Sequence, residues 1–236
     1  MPENISNGNI TKKARVFLVN TENVDLYEML ETYKDLISSQ RMKKIIRLAH
    51  MSDKKLSFGA ELALCFALRS FSLPYAPPAY HYDEWGKPYL GEANTEKDKD
   101  EGEELYINLS HSGSLAVCVA AEFPVAIDVL ETDYYIAGSF RRKIITAQDK
   151  EPEDHRELLS LWTKKESYVK LTGKGLRTSL LSFSINGETA TSHIGGSSAF
   201  ISSREIDGYF ISLASYEKTD AEYFFFSEED FPILLE

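Results

Sequence analysis

Residues 105–130 read LYINLSHSGSLAVCVAAEFPVAIDVL, and their punctuation decides the fold. Three apolar runs, LYINLS (105–110), LAVCVAAE (115–122) and VAIDVL (125–130), are separated by SHSG (110–113) and FP (123–124). Short runs of this kind bounded by Ser, Gly and Pro predict three consecutive strands. Helical segments are predicted on either side.

Upstream, ARVFLVNT (14–21) predicts a strand, a helix falls within VDLYEMLETYKDLISS (24–39), and RMKKIIR (41–47) is basic. Ser52 and Asp53 predict the start of a helix through 54–71. Beyond its first turn that helix is apolar nearly all round, so it is expected to be central and buried. YAPPAYHYDEWGKPYL (75–90) predicts turns and short extended pieces, and GEANTEKDKDEGEE (91–104) predicts a mobile insertion.

Downstream, a helical region through GSFRRKII (138–145) precedes a longer helix over 157–172, stopped by Gly173 and Gly175. LLSFSI (180–185), SAFISS (198–203), YFISLAS (209–215) and YFFF (223–226) make the remainder strand-rich. The order strand, helices, strands occurs twice, which points to two similar halves, residues 1–122 and 123–236.

The 236 residues, 43% hydrophobic and 12% aromatic, can bury a sizeable core as one domain or two sharing an interface. No run approaches the ~18 apolar residues of a membrane span, and the opening MPENISNGNITKKA has no apolar signal core, so a cytoplasmic location is expected. Cys65 and Cys118 lie in apolar segments without metal-ligand spacing and are expected as free thiols. A net charge of −11 argues against nucleic acid and anionic membrane as partners. An anionic ligand would need a local basic patch.

Three places carry chemistry. Asp128, between Ile127 and Val129 in an interior strand, would cost several kcal/mol to bury unpaired; it either caps a turn or shares a hard cation, such as Mg²⁺, with another carboxylate. On the 157–172 helix, Leu158, Leu161, Trp162, Tyr168 and Val169 form an apolar arc. Glu166 sits at its edge, one turn from both Trp162 and Lys170, either as a surface ion pair with Lys170 or as a carboxylate facing a cleft. SHSG is either an ordinary turn or a phosphate pocket of hydroxyls and imidazole, and GKGL (173–176) is a flexible cationic turn.

Taken together, GKP (86–88), NLSHSG (108–113), PVAIDVLE (124–131) and WTKKESYVKLTGKGL (162–176) resemble, in order and spacing, the Sfp-type 4′-phosphopantetheinyl transferases. The resemblance implies an α+β pseudodimer of two similar α/β halves with the active site between them. It implies transfer of phosphopantetheine from coenzyme A to a serine of an apo acyl or peptidyl carrier protein, with release of 3′,5′-ADP and Mg²⁺ as cofactor. The doubled architecture permits a working monomer.

Residue by residue, the resemblance makes Asp128 and Glu166 the metal carboxylates, Glu166 also the base for the attacking serine, and Lys170 a contact to the coenzyme A phosphates. Lys87, Ser110 and His111 would bind the nucleotide's phosphates, and Arg41 and Lys44 would lie near the 3′-phosphate. Two positions depart from the family pattern. Leu130 stands where a second strand carboxylate is usual, and Glu131, one residue late, points to the other face of a regular strand. Leu56 stands where arginine is frequent, while Ser57 keeps the hydroxyl; 3′-phosphate binding would then lean on Arg41, Lys44, Lys54 and Lys55. The alternative reading is a binding module for coenzyme A or carrier protein without turnover.

Overall fold

The computed structural model describes residues 12–77, 80–82, 88–90, 105–173, 175 and 178–236. Lys87 and the acidic stretch 91–104 lie outside them.

The first half runs β1 (Lys12–Asn20), α1 (Leu26–Thr32), α2 (Ser39–Arg47), α3 (Met51–Ser70), the short pair β2 (Tyr80–Tyr82) and β3 (Pro88–Leu90), then β4 (Tyr106–Ser112) and β5 (Leu115–Ala121). The second runs β6 (Val125–Glu131), α4 (Arg141–Ile144), α5 (His155–Thr172), β7 (Phe183–Asn186), β8 (Thr189–Ser192), β9 (Ala199–Ile206) and β10 (Tyr209–Ser215). β11 (Thr219–Phe226) and a 3-10 segment, Glu228–Leu235, follow.

Among the described residues two larger sheets form, ordered β11-β1-β5-β4 and β6-β10-β9-β8-β7, apart from the β2-β3 pair. The trio β1-β5-β4 has the same plan as β6-β10-β9: a strand, a long helix, then an antiparallel hairpin whose second strand returns to pair with the first. This duplication matches the two similar halves that the order of elements predicted and the α+β pseudodimer that the resemblance implied.

The layers follow from period-two burial. On β1, Phe17 and Val19 join Phe58, Leu62 and Phe66 of α3, while Val16 and Leu18 face the other sheet. On β6, Ile127 and Val129 meet that inter-sheet core, and Leu130 faces the cluster built around α5. Each sheet thus has a helix on one face and the other sheet on its second. Close approach of α3 requires Gly59, since a Cβ there would lie 2.4 Å from Thr21 Cγ2.

Several boundaries differ from the sequence expectation. The helix expected within 24–39 divides into α1 and a 3-10 turn at Lys34–Leu36, because Ser38 turns the chain and caps α2, its Oγ accepting from the Arg41 amide. α3 begins at Met51, ahead of the Ser52–Asp53 signal. α5 begins at His155, capped by Asp154, and stops at Gly173, whose φ of 68° suits glycine. Against a division at 122/123, β11 pairs in parallel with β1, and Phe231 and Leu234 enter the first half's core.

Candidate active site

The edges of the two sheets meet where β4 runs beside β6, joined by side chains rather than a backbone ladder. Asn108 Oδ1, Ser110 Oγ and Ser112 Oγ accept from the amides of Ile127, Val129 and Glu131 at 3.0, 3.3 and 3.1 Å. Alternate residues of one strand thereby satisfy alternate amides of the other, which would otherwise be an unpaired edge. The serines of SHS are part of this seam, a role the sequence reading missed although their period of two carried the signal.

Ser110 has a second task. Its Oγ donates to Asp128 Oδ1 at 2.9 Å, so the hydroxyl expected on a phosphate holds the aspartate. Lys170 Nζ reaches the same oxygen at 2.8 Å and also donates to the carbonyls of Ile127 and Leu109. An i,i+4 ion pair between Glu166 and Lys170 does not form: the ammonium crosses from α5 to β6 because Asp128 and two strand carbonyls offer more acceptors.

Glu166 lies across from Asp128 on α5. Desolvation pushes its carboxyl above the ordinary range and the Asp128 charge adds to this, while the Trp162 hydrogen bond and Lys170 oppose it. Trp162 Nε1–H donates to Glu166 Oε1 at 3.3 Å. Among the described residues, Asp128 Oδ2 and Glu166 Oε2 accept no hydrogen bond. Two facing carboxylates, each with an uncommitted oxygen, form a hard donor set suited to a divalent cation completed by phosphate and water. The described residues contain no cluster of three or more His, Cys, Asp or Glu with metal-ligand geometry.

Leu130, on the same face as Asp128, packs into the apolar cluster of α5. Glu131 is turned away. The β6–β10 register runs unbroken from Val125 to Glu131, without the kink that would swing it back. Its carboxylate lies against Gly113, where an added Cβ would meet Oε1 at 2.0 Å, beside a groove of about 550 Å³ also lined by Leu18, Ser114 and Tyr209.

On the first-half side, His111 is an exposed residue of β4. Desolvation pushes its imidazole below the ordinary value, Lys44, Lys170 and Arg41 push it the same way, and Asp53 opposes. Partial burial of the Lys44 amine, with Arg41 nearby, lowers that group too. These cations form a local basic patch on an acidic chain. Arg41 itself is buried: its Nε donates to Glu61 Oε2 at 3.0 Å and an Nη to Ser57 Oγ at 3.4 Å. Arg41 and Ser57 therefore stand behind the patch, within the packing of α2 on α3. Lys54 and Lys55 donate to the Ile46 and Glu22 carbonyls.

Sequence reasoning also missed Lys165. Its side chain is fully buried on α5, donating to Asp149 Oδ2 at 2.6 Å and to the Leu180 and Phe183 carbonyls. Asp149 in turn accepts from the Thr146 and Ile185 amides. The residue beside Glu166 thus ties α5 to the segments on both sides of it.

Residues 124–221, which contain Asp128, Glu166 and Lys170, match the sequence profile of the 4′-phosphopantetheinyl transferase superfamily. The chain is 29% identical over 157 residues to 4′-phosphopantetheinyl transferase gsp of Aneurinibacillus migulanus, covering 64% of this chain and 62% of that protein. It is 29% identical over 163 residues to 4′-phosphopantetheinyl transferase Sfp of Bacillus subtilis (strain 168), covering 66% and 68%. With psf-1 of Bacillus pumilus, also a 4′-phosphopantetheinyl transferase, identity is 27% over 164 residues, covering 66% of each. No helix among the described residues is long and apolar enough to cross a membrane.

Proposed function

From a chain related to the Sfp-type 4′-phosphopantetheinyl transferases, we propose an enzyme that transfers 4′-phosphopantetheine from coenzyme A to a serine of an apo acyl or peptidyl carrier protein. The observation that carries this reading is the convergence of Asp128, Glu166 and Lys170 where α5 meets β6, beside the Lys44 ammonium and the neutral imidazole of His111.

The reaction is a displacement at phosphorus, so positioning and charge neutralisation do most of the work. The serine Oγ attacks the β-phosphorus of coenzyme A, a bond to the bridging oxygen breaks, and 3′,5′-ADP departs with the electron pair. Glu166 takes the hydroxyl proton; desolvation and Asp128, by disfavouring its charged form, make it a stronger base than an ordinary carboxylate. Lys44 and His111 bind nucleotide phosphates, with Lys87 assigned the same task by its GKP motif. Lys170 orients Asp128 and supplies positive charge toward the coenzyme A phosphates. Asp128 and Glu166 would hold Mg²⁺, which supplies polarisation of the phosphoryl oxygens and neutralises charge on the leaving group.

An acidic carrier needs a basic landing site. Arg142 and Lys143 on α4 are exposed and supply it, whereas neighbouring Arg141 is tied to Glu151 and the Pro152 carbonyl. We place the reaction in the cytoplasm, where coenzyme A and apo carriers meet, with a monomer as the working unit.

Intact-protein mass spectrometry tests the reading: an apo acyl carrier protein and an apo peptidyl carrier protein are each incubated with the protein, coenzyme A and Mg²⁺. The expected result is a phosphopantetheine mass increment on at least one carrier, lost with Glu166→Gln while coenzyme A still binds. Full transfer by that variant would remove Glu166 from the mechanism. Coenzyme A binding by the wild type without transfer to either carrier would favour the binding module, a reading to which the apolar Leu130 lends weight.

A further inference from the structure

The indole of Trp162 lies one helical turn before Glu166 and does more than fill space. Its N–H meets Glu166 Oε1, and its ring is held between two residues of the segment that leaves β6: Tyr134, edge-on at 5.8 Å, and Phe140, tilted at 5.2 Å. That segment is itself anchored to α5, because the His155 ring nitrogen Nε2 lies 2.8 Å from the Tyr134 carbonyl oxygen. Glu166 has no other hydrogen bond among the described residues. A carboxylate facing Asp128, with one oxygen free, would rotate about its side-chain torsions away from the like charge if the indole did not hold it.

We propose that Trp162 is the positioning residue of this site: its N–H fixes one oxygen of Glu166 so that the other faces the reacting hydroxyl, and Tyr134 and Phe140 fix the indole. This rests on the transferase reading. Tyr134 is 43% exposed and Tyr135 81%, so the outer side of the same cradle is open to a macromolecular substrate. The catalytic carboxylate is therefore linked to that surface through two ring contacts and one hydrogen bond.

Steady-state transfer to the carrier that the wild type modifies gives the test. Trp162→Phe keeps an aromatic ring and removes the donor. It is expected to lower kcat about tenfold to a hundredfold, the scale on which misplaced catalytic groups act, with KM for coenzyme A unchanged. Phe140→Leu, which keeps the N–H and loosens the cradle, is expected to lower kcat by less, again without moving that KM. A wild-type kcat in Trp162→Phe, or a loss expressed only in KM for coenzyme A, would overturn the proposal. Should Trp162→Phe fail to fold, an unchanged kcat in Phe140→Leu would overturn it as well. A second readout does not depend on transfer. Of the two tryptophans, Trp85→Phe leaves Trp162 alone; adding Glu166→Leu, which removes the acceptor, is then expected to shift its fluorescence emission, and an unmoved spectrum would show that the contact is not made in solution. Absence of transfer by the wild type with that shift intact would sink the transferase reading and spare the contact.

Discussion

At the scale of single residues, the site sets stability against chemistry. Desolvation, then Asp128, raise the Glu166 carboxyl above its ordinary value. The sign follows: the native state prefers the protonated acid, so stability is greatest below the unfolded-state value and is lost as pH rises through the native one. Glu166→Gln is accordingly expected to melt at a higher temperature than the wild type near pH 7, with the gap closing as both are acidified. Equal or lower melting temperature at pH 7, measured by scanning calorimetry, would contradict the burial argument. Asp128, Glu166 and Lys170 were legible in the sequence as residue types at set spacings. Their connections were not: Lys170 leaves its helical neighbour for a strand 42 positions away in the chain, and no local pattern encodes that choice.

At the scale of elements, α5 shows where periodicity ends. Its apolar arc predicted the buried face well, placing Leu158, Leu161, Tyr168 and Val169 in the core. Lys165 reads as a solvated lysine in that pattern, yet it is fully enclosed with Asp149. The pair locks α5 to the turn before it and to the strand after it, which fixes the angle at which Glu166 and Lys170 are presented. Removing one member of a buried pair leaves the other charged and unpaired, at a cost of about 3–5 kcal/mol. Lys165→Met is expected to lower unfolding free energy on that scale in urea denaturation. The Arg41–Glu61 pair under α2 is the first half's counterpart, and it too was hidden from sequence reading, because Arg41 sits in a basic run that suggested a phosphate contact. The β4–β6 seam was partly legible: alternation in NLSHS said strand, but the partner of its polar face lies in the other sheet.

At the scale of the molecule, charge is arranged against the average. A chain of net charge −11 brings the cations Lys44 and Lys170 together around His111. If the transferase proposal holds, coenzyme A affinity should therefore fall as salt rises, since these local cations rather than the global field attract the phosphates. Lys44→Gln is expected to weaken binding several-fold at low salt and to flatten the dependence on NaCl in titration calorimetry; an unchanged slope would place Lys44 outside the phosphate site. The doubled plan itself was legible, because strand, helix and hairpin recur in the same order in each half. The exchange at the end was not, since YFFF says strand without saying which sheet.

That exchange has a consequence for how the protein is made. β1 lies between β5 and β11, and its register with β11 pairs Lys12 with Thr219 and Val19 with Phe226. On the ribosome, one side of the earliest strand waits until nearly the whole of the described chain has been synthesised. Until then its free edge, Phe17 and the surface destined for Phe231 are open to wrong partners. Closure joins segments near opposite ends of the described residues, a contact pattern that slows folding. The nascent polypeptide thus passes through a long aggregation-exposed interval, and chaperone demand should rise with any change that weakens the final parallel pairing.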